Sequence, residues 1–390
     1  MREREGPAVV TELRALNDLQ QEIVRTARDF ARNELAPHVA EWDRTGHFPR
    51  DKVEALGELG FLGMLVPGDW GGSGLDTVTY LMALEEIARV DPSMAVTMSV
   101  HNSLPSRMIL EHGTDELRER YLRPMAEGKL LGAFALSEHD AGSDPSALSC
   151  RAERDGDAYV LNGAKAWVTN GGTADVVVAM ARTGGKGADG VSAFVVETEW
   201  QGYSVGKTEE KMGLKASNTA EIVFDGLRVP AGNRVGEEGR GLRYALGSLE
   251  HGRLGIAAQA LGIAETCLQL AIDWAKERTA FDRPIAEFQG LRFMLAEVAA
   301  KVAAARALTH AAAERQDRGE PARKEVAMAK LLASRTAMDA AVKAVQVYGG
   351  YGYMKDYPVE RFFRDAKVTE IYEGTSEIQQ LVIANELFAD

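Results

Sequence analysis

The hydrophobic period changes twice along this chain, and few folds accommodate such a change. From Leu16 to about Gly128 the pattern is helical. Leu19, Ile23, Val24, Ala27, Phe30 and Ala31 recur at three-and-four spacing, which predicts one apolar stripe on an amphipathic helix. Val53, Leu56, Leu59 and Phe61 begin a second such stretch, and Tyr80 through Val90 a third. Between them Val66 to Gly74 is a glycine-rich turn cluster. The middle reads differently. Ala158–Leu161, Asp175–Ala179, Val191–Val196 and Glu221–Phe224 are short β-branched or aromatic runs, mostly bounded by Gly, Asn or Asp, as strands are. Asn162-Gly163 and Asn170-Gly171-Gly172 predict turns that join antiparallel strands. From about Gly241 long helices return, with an alanine-rich stretch from Lys301 to Gln316 and another helical stretch from Val326 to Val347. Helices, then strands, then helices predict a mainly α protein, with a β domain (131–240) held between helical domains at 1–130 and 241–390.

Composition removes several functional classes. A chain of 390 residues can build two or three domain-sized units. Its 45 Lys and Arg against 58 Asp and Glu give a net charge of −13, which disfavours nucleic acid and anionic membrane as partners. Cys150 and Cys267 are isolated and suit a reducing compartment. The seven histidines do not gather at ligand spacing, so no metal is expected. Met1–Gly6 has mixed charge and no apolar run behind it, unlike a signal peptide, and no apolar run approaches membrane-spanning length. A cytoplasmic protein is expected. Gly185-Lys-Gly187-Ala-Asp-Gly190 fits the dinucleotide pattern G-x-G-x-x-G, but a strand-like run follows it instead of a helix. It reads as a hairpin loop.

Two segments carry chemistry. In Arg364 to Gln379, Glu373 stands at a helix-to-loop break after Ile371-Tyr372 and before Gly374, as a carboxylate offered to a closed pocket would. The other runs from Ala135 to Ala147 and contains Leu136-Ser137-Glu138 and Ala141-Gly142-Ser143-Asp144. Together they resemble the acyl-CoA dehydrogenase family, which oxidises acyl-CoA thioesters with bound FAD, and the likeness extends from about Leu16 to Leu387. The resemblance implies an N-terminal helical domain, a small β-barrel or sandwich domain, and a C-terminal four-helix bundle that builds a homotetramer. It makes Glu373 the base that takes the α-proton while the β-hydride passes to flavin N5, giving trans-2-enoyl-CoA. It also pairs the Glu373 N–H with a ribityl hydroxyl as an oxyanion hole for the thioester oxygen. The chemistry is coherent, because desolvation raises a carboxylate's pKa toward working pH and no side chain accepts hydride.

The resemblance further implies that Phe134, Leu136, Ser137, Gly142 and Ser143 line the flavin, with Ser143 also touching acyl-CoA. Trp167, Val168 and Thr169 form a second flavin-facing stretch, and Trp167 is expected to be a strand-core aromatic as well. His139-Asp140 stands where the family usually has Pro-Gly. Arg278 is implied to reach the FAD pyrophosphate of a neighbouring subunit, for which a guanidinium fork is suited. Phe281, Phe288, Gln289, Gln346, Gly349 and Gly350 are further cofactor contacts, and Thr375 and Glu377 continue the site. Glu250, Arg253 and Gly374 are implied substrate contacts. In the isovaleryl and long-chain branches the base comes from the position held here by Gly252, and glycine cannot serve. Met98–Leu104 and Glu370–Ile378 look most like the short-chain (butyryl) branch, with medium- or branched-chain specificity as alternatives. Electron-transfer flavoprotein is the implied electron acceptor. A monooxygenase on this fold would lack the Glu373 equivalent, and a DNA-associated member should carry a basic C-terminal face, against the −13 balance.

Overall fold

The computed structural model describes residues 15–389; the Met1–Gly6 stretch lies outside them. The amino-terminal region is helical: α1 (Asp18–Phe30), α2 (Val39–Thr45), α3 (Arg50–Glu58), α4 (Thr77–Ala88), α5 (Pro92–Ser103), α6 (Pro105–His112), α7 (Asp115–Leu117) and α8 (Arg123–Ala126). A capping box fixes the start of α1, with Asn17 and Gln20 each accepting from the other's backbone N–H. Leu19, expected on the buried stripe, is instead 51% exposed. The buried face runs through Ala27 and Phe30 and is headed by Gln20, whose amide donates to Thr79. Every residue of α4 and α5 is buried, so these two helices have no solvent face and form the floor of the molecule's centre. Asp76 and Asp91 cap them by accepting from Thr79 and Ser93 N–H groups.

The middle region supplies β1 (Gly132–Ala135), β2 (Arg151–Asp155), β3 (Ala158–Thr169), β4 (Val176–Arg182), β5 (Val191–Glu197), β6 (Tyr203–Thr208), β7 (Thr219–Pro230) and β8 (Arg234–Val235). They form one eight-stranded sheet in the order β6-β7-β3-β2-β4-β5-β8, with β1 parallel to β4. β4 and β5 pair antiparallel around the 183–190 loop, so the G-x-G-x-x-G segment is a hairpin connection. Two turn expectations need correction. Asn162-Gly163 lies inside β3 at a bulge opposite β7. There the Asn162 side chain accepts from the Gly226 N–H, and a Cβ on Gly163 would meet Cys150 Cα at 2.8 Å. Asn170–Gly172 does turn the chain, but from β3 to β4, which β2 separates in the sheet.

The remainder is α9 (Gly241–Glu277), a short hairpin of β9 (Thr279–Ala280) and β10 (Arg283–Pro284), then α10 (Gln289–Asp317), α11 (Arg323–Tyr348), α12 (Val359–Val368) and α13 (Ser376–Leu387). The 37-residue α9 is the spine, packing on α4 and α5 on one side and α10 and α11 on the other. Contrary to the sequence expectation, its apolar stretch is long enough to cross a membrane by length and composition, but 78% of that stretch is buried inside the protein.

Arg306 of α10 crosses the junction of the helical regions and pairs with Glu85 of α4 and Glu265 of α9, all three buried. Removing one member of such a group leaves uncompensated buried charge. Arg306→Met is therefore expected to destabilise the fold by about 3–5 kcal/mol, read as a lowered melting temperature.

Candidate active site

The α12–α13 connection is a loop stitched to itself: Tyr372 N–H donates to Val368 O, and Ser376 N–H to Glu370 O. Within it Glu373 (φ 50°) and Gly374 (φ 93°) are consecutive left-handed residues. Glycine adopts that region freely, whereas glutamate does so only when surroundings enforce it. The consequence is directional. Both Glu373 carboxylate oxygens turn inward and lie buried with no hydrogen-bond partner. Among the described residues its backbone N–H also donates to nothing.

Gly252 of α9 forms the facing wall, where an added Cβ would stand 2.1 Å from Glu373 Oε2 and 3.0 Å from a Leu104 methyl. One turn further on, a Cβ at Gly255 would meet Ser99 Oγ at 2.2 Å. Between these contacts lies a small apolar cluster of Val96, Val100, Leu104, Leu214 and Ile256, bordered by Phe134, Leu249 and Tyr372. Burial pushes the Glu373 carboxyl up to about 7, even though Lys330 and Arg253 pull the other way. Arg253 is buried with its Nε unpartnered, and Glu250 pairs at 3.7 Å with Arg323.

The sheet residues approach the same place through Phe134, which packs against that cluster as Leu249 and Tyr372 do. Leu136 and Ser137 follow it. Ser137 O accepts from Ala166 N–H, and Leu136 O from the buried Lys165 ammonium. Lys165 also pairs at 2.8 Å with Glu138, whose carboxylate accepts from Ser149 N–H and Oγ and from Cys150 N–H. This pair rivets the 136–150 loop to β3, a role that no motif announced. His139 and Asp140 form a tight turn closed by reciprocal Glu138–Ala141 backbone bonds. Gly142 and Ser143 are exposed beyond it.

Trp167 is not a core aromatic. A bulge between Lys165 and Val168 gives it φ 55° and leaves it 51% exposed, edge-on to His139. Val168 is buried beneath it and Thr169 half-buried beside it.

A third group stands apart. Arg278 caps α9 and lies over the Tyr351 ring; with Gly349 and Gly350 it lines a cleft of about 510 Å³ to which no residue around Glu373 contributes. Phe281 tips the β9–β10 hairpin at φ 53° and 89% exposure, edge-on to Phe288. Gln289 and Gln346 are exposed near the ends of α10 and α11. Thr375 caps α13 by accepting from Ile378 N–H, and Glu377 points to solvent. Among the described residues no cluster of His, Cys, Asp or Glu could hold a metal ion.

Family models cover nearly all of this architecture: acyl-CoA dehydrogenase N-terminal domain over residues 17–129, middle domain over 133–227, and C-terminal domain over 239–388. The chain belongs to the acyl-CoA dehydrogenase family. It is 47% identical to the short-chain specific acyl-CoA dehydrogenase of Clostridium acetobutylicum, over 95% of this chain and 98% of that protein. Butyryl-CoA dehydrogenase from Megasphaera elsdenii superposes with a TM-score of 0.95 at 42% identity, over 96% of this chain and all of the other. A chain in the structure described as the electron transferring flavoprotein of Acidaminococcus fermentans matches with a TM-score of 0.95 at 44% identity, over 97% and 100% of the two chains.

The raised Glu373 pKa has a consequence for stability. The folded state holds this proton to about 7, against 4.5 for an ordinary glutamate, so the stabilisation is full below about 4.5 and is lost as pH rises through 7. Glu373→Gln should lack that loss. The drop in melting temperature between pH 5 and pH 8 is expected to be smaller in the variant than in the parent.

Proposed function

We propose that the protein dehydrogenates a short-chain acyl-CoA thioester to the trans-2-enoyl-CoA, with FAD as cofactor and Glu373 as base. The observation that carries this reading is the inward-turned, unpartnered Glu373 carboxylate with its proton affinity raised to about 7. A solvated acid at a helix end would show neither feature.

The residues fit a flavin. Trp167 offers an exposed indole beside the half-buried Ser137 and Thr169, and Gly142 has no neighbour within 4 Å of where its Cβ would be. These groups would hold the ring system, and Arg278 with Gly349 and Gly350 would hold the pyrophosphate. FAD, when bound, supplies the hydride acceptor that no side chain provides.

The chain's own contribution is then proton chemistry and position. Glu373 Oε takes the α-proton of the thioester, and apolar surroundings keep that carboxylate basic. The free Glu373 N–H donates to the thioester oxygen as enolate charge develops on it. Glu250 and Arg253 border the thioester end, and the Val96–Ile256 cluster takes the acyl chain. The Gly255–Ser99 contact brings α9 close against α5, and the short-chain specific relatives support butyryl over long chains.

Arg278 stands 26 residues beyond Gly252 (278 − 252), about 39 Å along the helix at 1.5 Å per residue. Glu373 and Arg278 of one chain are therefore too far apart to serve one cofactor, which supports a homo-oligomer, a tetramer in our reading, with each flavin shared between chains. Electron-transferring flavoprotein is the acceptor we assign, in keeping with the Acidaminococcus fermentans neighbour.

Anaerobic titration with butyryl-, octanoyl- and palmitoyl-CoA should bleach the oxidised-flavin band fastest with butyryl-CoA, and the reduction rate should rise with pH through about 7. Equal bleaching by palmitoyl-CoA would move the specificity and leave the chemistry in place. Glu373→Gln should retain FAD and lose reduction by several orders of magnitude; near-parent turnover would refute the base. Arg278→Ala is expected to lose FAD or the oligomer, read by flavin absorbance and sedimentation, and retention of both would remove the pyrophosphate role.

A further inference from the structure

Lys330 lies in the interior of α11 with its side chain fully buried. Its only hydrogen bond among the described residues is to Gly374 O, at 2.8 Å, and it forms no ion pair there. Burying an ammonium is costly, and a methionine would fill the same space without that cost. The acceptor it meets is the carbonyl directly after Glu373. Gln379 Nε2 donates to the same oxygen at 2.9 Å and to Glu373 O at 3.3 Å. Two donors from two helices thus converge on the strained Glu373–Gly374 turn, and such strain persists only where the surroundings over-determine it.

We infer that Lys330 is a positioning residue for Glu373: its ammonium clamps the Gly374 carbonyl, fixing the left-handed turn that aims the carboxylate and setting a positive charge near that carboxylate. The inference rests on the reading of Glu373 as base. The charged groups around Lys330 are Glu373, Arg253, Glu370 and Glu377. Those acting on Glu373 are Lys330 and Arg253. Burial pushes the ammonium down to about 8, while the Glu373 charge opposes the shift. The two charges stabilise each other, so each group opposes the burial that would neutralise its neighbour. Removing the lysine charge leaves the carboxylate harder to ionise, and the acid limb of the reaction moves up in pH.

The test uses the FAD-loaded proteins Lys330→Met, Lys330→Gln and Lys330→Arg, with Glu373→Gln alongside. Stopped-flow reduction by butyryl-CoA is followed from pH 5.5 to 9, together with KM, flavin content and melting temperature. In the two neutral variants the limiting rate at pH 7.5 should fall about tenfold or more with KM little changed, and the acid limb should move up by about one pH unit. Lys330→Arg, which keeps the charge, should return the limb to the parent position. A neutral variant that holds FAD and keeps the parent rate and limb, while Glu373→Gln is inactive, overturns the Lys330 role and leaves the base standing. Active Glu373→Gln overturns the base itself. If Lys330→Met does not hold FAD, coincident limbs in Lys330→Gln and Lys330→Arg overturn the proposal. Loss of flavin in both neutral variants overturns it as well, because Lys330 is then only a folding residue.

Discussion

Withholding water and hydrogen-bond donors from the Glu373 carboxylate is the constraint on which the arrangement depends. An ionised carboxylate relaxes toward any available donor, so the chain around it must be stiffer than that pull. The stiffness comes from several directions. The α12–α13 loop is bonded to itself, Gln379 and Lys330 grip the carbonyls behind the acid, and α9 supplies a bare glycine wall in front. The aromatic neighbour is fixed too, since the Tyr372 hydroxyl bonds Gln259, whose amide donates to Pro92 O at the start of α5. The α12–α13 loop, spine and floor therefore behave as one unit.

Much of this was legible in the sequence, and the reasons for the failures are physical. The change from helical to strand periodicity marked the three regions because α1, β3 to β5 and β7 each bury one face or both. β2 and β6 escaped notice because they are mostly exposed and carry charged or polar side chains, with only Ala152 buried in the first. Asn162-Gly163 resembles a hairpin turn because a bulge and a turn ask for the same positive-φ residue. Only strand pairing distinguishes them.

The site shows the same division. Glu373 drew attention through its motif together with the upstream Ala135–Ala147 stretch, whereas an acid between an apolar pair and a glycine would by itself read as a solvated helix end. Lys330 could not. In an alanine-rich helix a lysine reads as solvated, and only the packing of α11 against α9 and α13 shows that it is interior. The Glu138–Lys165 pair was hidden for a similar reason, as its members lie 27 positions apart and meet only when β3 folds beside the 136–150 loop. Trp167 went the other way, because aromatic strand residues usually face inward and a single extra residue reversed it.

The bare wall at Gly252 also bears on how such a site could change over evolutionary time. Any side chain there would occupy the space of the Glu373 carboxylate, so an acid can enter this pocket from α9 or from the α12–α13 loop, but not from both. Moving it from one wall to the other takes two substitutions whose effects are coupled: with one alone the pocket holds either two colliding side chains or no acid. Van der Waals exclusion thus ties the identity of residue 252 to that of residue 373, although they lie on different elements.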